Sequence, residues 1–227
     1  MCFSATASFA AAAVLIPAGA YCIKKSSELS QPYWALAMLP MLFGLQQLLE
    51  GGVWVTLQSG EAAYTHGFAL GFLLFSHVFW LCWVPYSSYL TELSPRLRRL
   101  FLLIAAFGLL FGVFMYVPLL FNADWLTVSI VKHSIRYELK LVFDSFVSQR
   151  LVTAVYAAVI LVPLMLSSDA YHRMLGALVL LSGLVTGVFF GWVFISVWCY
   201  FAALISLYIF FMIYRSVTAK RLAGTAS

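Results

Sequence analysis

Hydrophobic residues in this chain fall into long unbroken blocks, separated by short polar stretches. Seven blocks stand out: Ala5 to Ile23, Tyr33 to Leu57, Gly67 to Leu90, Leu100 to Phe121, Leu151 to Ser167, Leu175 to Trp192 and Ser196 to Tyr214. A helix of roughly 20 apolar residues crosses the ~30 Å hydrocarbon layer of a bilayer. The pattern therefore predicts an all-α integral membrane protein with seven transmembrane helices. The last two blocks form one apolar run from Leu175 to Tyr214, which as a single helix would be about 60 Å long. Such a run must double back, and Gly191 to Val197 is the expected turn.

The polar stretches add a second element. The longest, Asn122 to Arg150 after the fourth block, alternates Ile135, Tyr137, Leu139 and Leu141 with Ser134, Arg136, Glu138 and Lys140. A period of two is that of a strand. The expectation is a short β-hairpin turning near Lys132 and His133, capping the outer end of the bundle. An interfacial amphipathic helix or an irregular loop fits the same residues nearly as well. No repeat or low-complexity segment divides the chain, so residues 1–227 read as one polytopic membrane domain.

Within the spans, the pairs Gly67 and Gly71 and Gly108 and Gly112, and the series Gly183, Gly187 and Gly191, have the four-residue spacing that lets helices approach closely in lipid. Pro17, Pro40, Pro85 and Pro163 lie near the expected cytoplasmic ends, where each removes a backbone donor and invites a kink.

Composition agrees: 64% of residues are hydrophobic and 9% charged, too few charges to clothe a soluble domain of this size. All thirteen Lys and Arg fall outside the blocks. With alternating helices, nine share one side, and Lys132, Arg136, Lys140 and Arg150 share the other. The positive-inside rule then puts the N-terminus outside and the C-terminus in the cytoplasm. The net charge of +5 follows from this asymmetry. Because the basic residues are scattered over separate loops, the expected partner is the lipid bilayer and no nucleic acid is expected. Ala18-Gly19-Ala20 resembles a signal-peptide cleavage site, but the basic pair Lys24 and Lys25 follows the apolar run, opposite to the secretory arrangement. The first block reads as a retained span.

Glu50 is the one acidic residue inside a predicted span. A charge there costs about 2.5 to 3.5 kcal/mol on insertion scales and marks a functional site by default. It lies roughly 10 Å below the outer surface at 1.5 Å per residue. Gln46, Gln47 and Trp54 are three or four residues away on the same helical face. His77 is the one histidine in mid-span, with His66 three turns earlier and Ser76 and Trp80 beside it. Imidazole and carboxylate facing one pocket could bind a cation, shuttle protons or act as acid and base. The plainer alternative for each is a buried polar group satisfied by its neighbours, holding helices together.

Of four cysteines, Cys2 and Cys199 fall toward the outer face, where oxidation is permitted. They are a candidate disulfide or thiol pair. Metal spacings such as Cys-x-x-Cys or His-x-x-x-His are lacking, so no metal site is expected. That sets the chain apart from seven-span hydrolases of the ceramidase and adiponectin-receptor kind, whose zinc sites use three histidines. The seventh block has no lysine for a retinal Schiff base.

Met1-Cys2-Phe3-Ser4-Ala5 at the start, Gln47-x-x-Glu50 with Trp54, Trp83-x-Pro85, and Trp198-Cys199-Tyr200-Phe201-Ala202-Ala203 with Ser206 together resemble an uncharacterised bacterial family of multi-span membrane proteins. The likeness runs in order over nearly the whole chain. Gln46 stands where such proteins would be expected to carry a histidine, which weakens any metal or haem reading. The resemblance implies a bacterial inner-membrane location and brings no activity or cofactor. The residues themselves favour binding or translocation of a small solute, proton or cation at a polar pocket of Gln46, Gln47, Glu50, Trp54 and His77. The alternatives are a membrane-embedded enzyme acting on a lipid or apolar molecule, and an accessory subunit whose polar residues fix packing.

Overall fold

The computed structural model describes residues 4–29, 31–141 and 148–225. Helix α1 (Ala5–Ser26) begins where the Ser4 hydroxyl accepts the Ala7 N–H, and ends on Lys24 and Lys25, whose charges suit the negative end of the helix dipole. After α2 (Trp34–Ala37) the chain breaks at Met38 and resumes as α3 (Leu39–Ser59), with Pro40 in its first turn. Proline is tolerated there because the first-turn N–H groups lack helical partners anyway. Helix α3 stops at Gly60, whose φ of 76° is the left-handed cap that glycine adopts without strain.

Next come α4 (Ala62–Leu74), a π-helical turn (Phe75–Phe79) and α5 (Trp80–Thr91), which together make one span. Helix α6 (Pro95–Phe121), a short 3-10 turn (Ala123–Trp125) and strands β1 (Leu126–Val131) and β2 (Ser134–Leu139) follow. The chain closes with α7 (Gln149–Leu166), α8 (Ala170–Phe189), a 3-10 turn (Gly191–Val193), α9 (Phe194–Ile205) and α10 (Leu207–Thr225). Seven of the resulting helical segments are long and apolar enough to cross a membrane, and they coincide with the seven sequence blocks. The last turn is tighter than expected: Phe194 already begins α9, so Ser196 lies inside the helix.

Helix α3 is the most buried span and organises the bundle. Gly19 of α1 is pressed against the Met41 backbone and Gly44 against Leu15 and Ile16, while Gly51 and Gly52 seat the rings of Phe9 and Phe68. On α6, a Cβ at Gly108 or Gly112 would run into the carbonyl oxygens of Leu81 and His77. That pair therefore does what its spacing predicts. Gly67, Gly187 and Gly191 have no neighbour within reach of a Cβ, so for them the spacing carries no packing.

The stretch after α6 forms the hairpin, with β1 and β2 antiparallel and Val131 paired with Ser134. Lys132 and His133 have φ of 45° and 61°, the pair of positive values that a two-residue type I′ turn requires. Ile135 and Tyr137 are buried, whereas Arg136 and Glu138 pair at 3.0 Å on the exposed face. Tyr137 stacks on Phe72 of α4 with ring centroids 5.0 Å apart. The alternation thus reports a strand whose inner face closes one end of the bundle.

Candidate functional site

Four of the predicted residues project from α3 into the protein interior. Gln46, Gln47, Glu50 and Trp54 are each at most 3% exposed. Glu50 accepts hydrogen bonds on both oxygens, from Gln47 Nε2 at 3.1 Å and from Ser196 Oγ of α9 at 2.5 Å. The Gln46 carbonyl oxygen accepts Trp80 Nε1 at 2.9 Å, and Trp80 is stacked on Phe43 with centroids 4.0 Å apart. These bonds fix which way each amide points. Gln46 Nε2 then faces the Cys199 thiol, and Gln47 Oε1 is left without a protein partner, as are Trp54 Nε1 and Tyr137 OH.

Tyr137 reaches the site from the hairpin. Burial, then the charge of Glu50 and that of Cys199, hold its phenol well above the usual tyrosine range, so it remains an O–H group. Cys199 of α9 is buried and lies beside Gln46 and Glu50. Cys2 lies outside the described residues, and with it the proposed pairing.

His77 occupies the π turn, where Trp80 N–H bonds to Phe75 O. Its Nδ1 shares a hydrogen bond with Ser76 Oγ at 2.9 Å, and Tyr156 OH donates to Ser76 O at 2.5 Å. The imidazole lines a cavity of about 80 Å³ with Tyr156, Trp198 and Cys199. The nearest link between His77 and the Glu50 site is Cys199, which walls the His77 cavity and lies beside Glu50. His66 is elsewhere again, in a groove beside Thr56 and Thr127.

A wider cleft of about 750 Å³ opens between β2, the start of α7 and the start of α9. Arg150, Gln149 and Thr153 line it, as do Tyr137 and Ser196. Two residues of its wall therefore belong to the Glu50 site, one by a direct hydrogen bond. Ser196 and Tyr137 escaped the sequence reading because a lone serine and a strand tyrosine have no signature. Ser196 could have been found only by pairing the second and seventh spans.

A second polar cluster ties the opposite end of the bundle. Glu92, just after α5, accepts the N–H groups of Ser94 at 2.9 Å and Ser168 at 2.8 Å, and the Ser168 hydroxyl at 2.6 Å. Asp169 caps α8 by accepting Tyr171 N–H at 2.7 Å, and it also accepts Tyr33 OH at 2.5 Å. His172 Nδ1 lies 3.4 Å from Asp169, and its Nε2 shares a 3.3 Å hydrogen bond with Thr91. Burial alone would raise Asp169, but its bonds with His172, Tyr33 and the Tyr171 N–H outweigh that and hold it at about 2. Glu92 is likewise lowered: its bonds with Ser168, Ser94 and Leu93 overcome desolvation.

Among the described residues, no group of three or more His, Cys, Asp and Glu is placed to hold a metal ion. No curated protein and no solved structure matches the chain. A model described as a family of unknown function, DUF6629, matches residues 1–224, and the chain belongs to that family.

Proposed function

We propose that the protein is a polytopic membrane protein that binds a proton or small cation at Glu50, reached from the hairpin side. The hairpin end, with the N-terminus, faces outward and the C-terminus lies in the cytoplasm. Support for this orientation is the placement of nine of the thirteen basic residues on the opposite end. The resemblance of its motifs points to a bacterial inner membrane.

One observation carries the binding reading. Around a carboxylate in the most buried helix, three further polar atoms, Gln47 Oε1, Trp54 Nε1 and Tyr137 OH, have no protein partner. Each costs about 1 to 3 kcal/mol if left unpaired, and native folds carry few such groups. Donors and acceptors gathered about one carboxylate suit an occupant that hydrogen-bonds, such as water carrying a proton or a hydrated small cation. Ser196 supplies the route, since it lines the outer cleft and donates to Glu50. When Glu50 is protonated, the Ser196 hydroxyl turns to accept from it, and the Glu50 proton moves to Ser196 Oγ as the hydroxyl proton passes to a water in the cleft.

A second reading has its own support: Glu50 lines none of the larger cavities and has both oxygens bonded, which suits a structural clamp. Infrared difference spectroscopy on the protein in nanodiscs separates the two. Under the binding reading, a pH step produces a carboxylic-acid C=O band that disappears in Glu50→Gln. A wild-type spectrum with no band lost in that variant leaves the clamp.

A further inference from the structure

Three cavities lie in series along α7 and α9, each sharing wall residues with the next. The outer cleft and the His77 cavity share Gln149, Thr153, Phe194 and Ile195. The His77 cavity and a third, central cavity share Tyr156, Trp198 and Cys199. Width and chemistry change together along this path. The cleft measures about 750 Å³ and carries Arg150, Gln149 and Thr153 at its wall, with Lys132 held over the Trp192 ring at 4.8 Å. The two inner cavities measure about 80 and 60 Å³, so a long acyl chain enters them only as their side-chain walls part. The central one is walled chiefly by aliphatic and aromatic groups from six helices, including Ile160, Leu164, Leu175 and Val179.

We infer that this series of cavities is a binding site for a single-chain amphiphile with a small anionic head, of the fatty-acid type. A broad polar mouth bearing a guanidinium, leading into a narrow apolar bore, suits one flexible chain and excludes a bulky or doubly polar solute. Arg150 offers bidentate hydrogen bonds to a carboxylate. The exposed carboxylate nearest in sequence to the mouth strand's tyrosine, Glu138, is already paired with Arg136. Beyond His77 the path offers a chain little but hydrocarbon and ring faces, each methylene gaining about 0.8 kcal/mol on burial. The chain runs past the Cys199 thiol into the central cavity. This site differs from ion binding at Glu50 in its ligand, and shares with it the outer cleft, Cys199 and Trp80.

The test uses full-length protein in nanodiscs and a palmitic acid carrying a diazirine at its methyl end, photolysed and mapped by peptide mass spectrometry. Adducts should concentrate on α7 and α9 residues that wall the inner cavities, such as Tyr156, Ile160 and Cys199. Palmitate should compete at least fivefold better than hexadecanol. Arg150→Gln should abolish that preference. Ala202→Trp, which places a large ring in the central cavity, should remove the inner adducts. Because the wild-type map stands by itself, a variant that fails to fold does not rescue the idea. Adducts confined to outward-facing positions such as Leu110 and Val188, or equal competition by acid and alcohol, overturn it.

Discussion

The two ends of the bundle each bury carboxylates, and they treat them differently. At the end opposite the hairpin, Glu92 accepts three hydrogen bonds, and Asp169 accepts two with the His172 imidazole 3.4 Å away. Those partners join the start of the second span, the end of the third and the α7–α8 turn. At the hairpin end Glu50 receives two, amid polar atoms that have none. An ionised carboxylate offers about four lone-pair sites. One bonded to donors from several loops and helix ends is a rivet: it fixes geometry and has less capacity for an additional ligand. An unsaturated one, surrounded by groups equally short of partners, keeps capacity for an occupant. Electrostatics at the rivet follows, since the same bonds hold Asp169 at about 2.

If that contrast is right, the largest loss of stability comes from the riveted end. Asp169→Ala strands the Tyr33 hydroxyl, the Tyr171 N–H and His172 in a partly buried setting, and should cost on the order of 3 kcal/mol. The sign of the pH effect is fixed too. Asp169 has its folded value depressed from 3.8 to about 2, so its contribution is fully present above pH ~4 and fades as pH falls from there through about 2. Thermal unfolding in detergent, scanned from pH 7 to about 2, should show this contribution constant down to about pH 4 in the wild type. Asp169→Ala should lie below it at neutral pH and converge with it in acid. A variant as stable as wild type at pH 7 would remove the rivet and with it the contrast.

Effects at the unsaturated end should be smaller. Ser196→Ala deletes one of the two bonds to Glu50 and should cost about 1 kcal/mol. Glu50→Gln should cost less. The new amide can keep Ser196 on its oxygen, and Gln47, whose Oε1 has no partner, can flip to accept from the new N–H group. Near-wild-type unfolding for Glu50→Gln, with the infrared band lost, would sharpen the contrast. A loss matching that of Asp169→Ala would erase it.

The spans were legible because length and hydropathy are properties of single segments. The hairpin was legible as alternation, and its turn at Lys132 and His133 was placed to the residue. The polar stripe of α3 was visible too, since Gln46, Gln47, Glu50 and Trp54 share one face by helical spacing alone. What the sequence hid was every relation between distant segments. Ser196 meets Glu50 across 146 positions and Tyr33 meets Asp169 across 136. Nor does spacing reveal the π turn that holds His77, or the cavity its imidazole shares with Tyr156 and Trp198. Glu92, Asp169 and His172 looked like ordinary loop residues because they flank the apolar blocks; only the packing of helix ends turns them into a buried network.

The smallest stability effect is also the one that separates an occupied site from a poorly satisfied core. Tyr137 OH is buried without a protein partner, while its ring stacks on Phe72. Tyr137→Phe keeps the ring and deletes only the hydroxyl. If nothing binds there, removing an unpaired polar group should leave stability unchanged or raise it by up to about 1 kcal/mol. If the hydroxyl helps hold water or a cation beside Glu50, the same change should leave unfolding within about 1 kcal/mol of wild type, yet alter the titration of the infrared band assigned to Glu50. Unfolding and spectroscopy on this one variant therefore answer different questions. A more stable protein with an unchanged Glu50 titration would assign the hairpin's tyrosine to packing and take it out of the site.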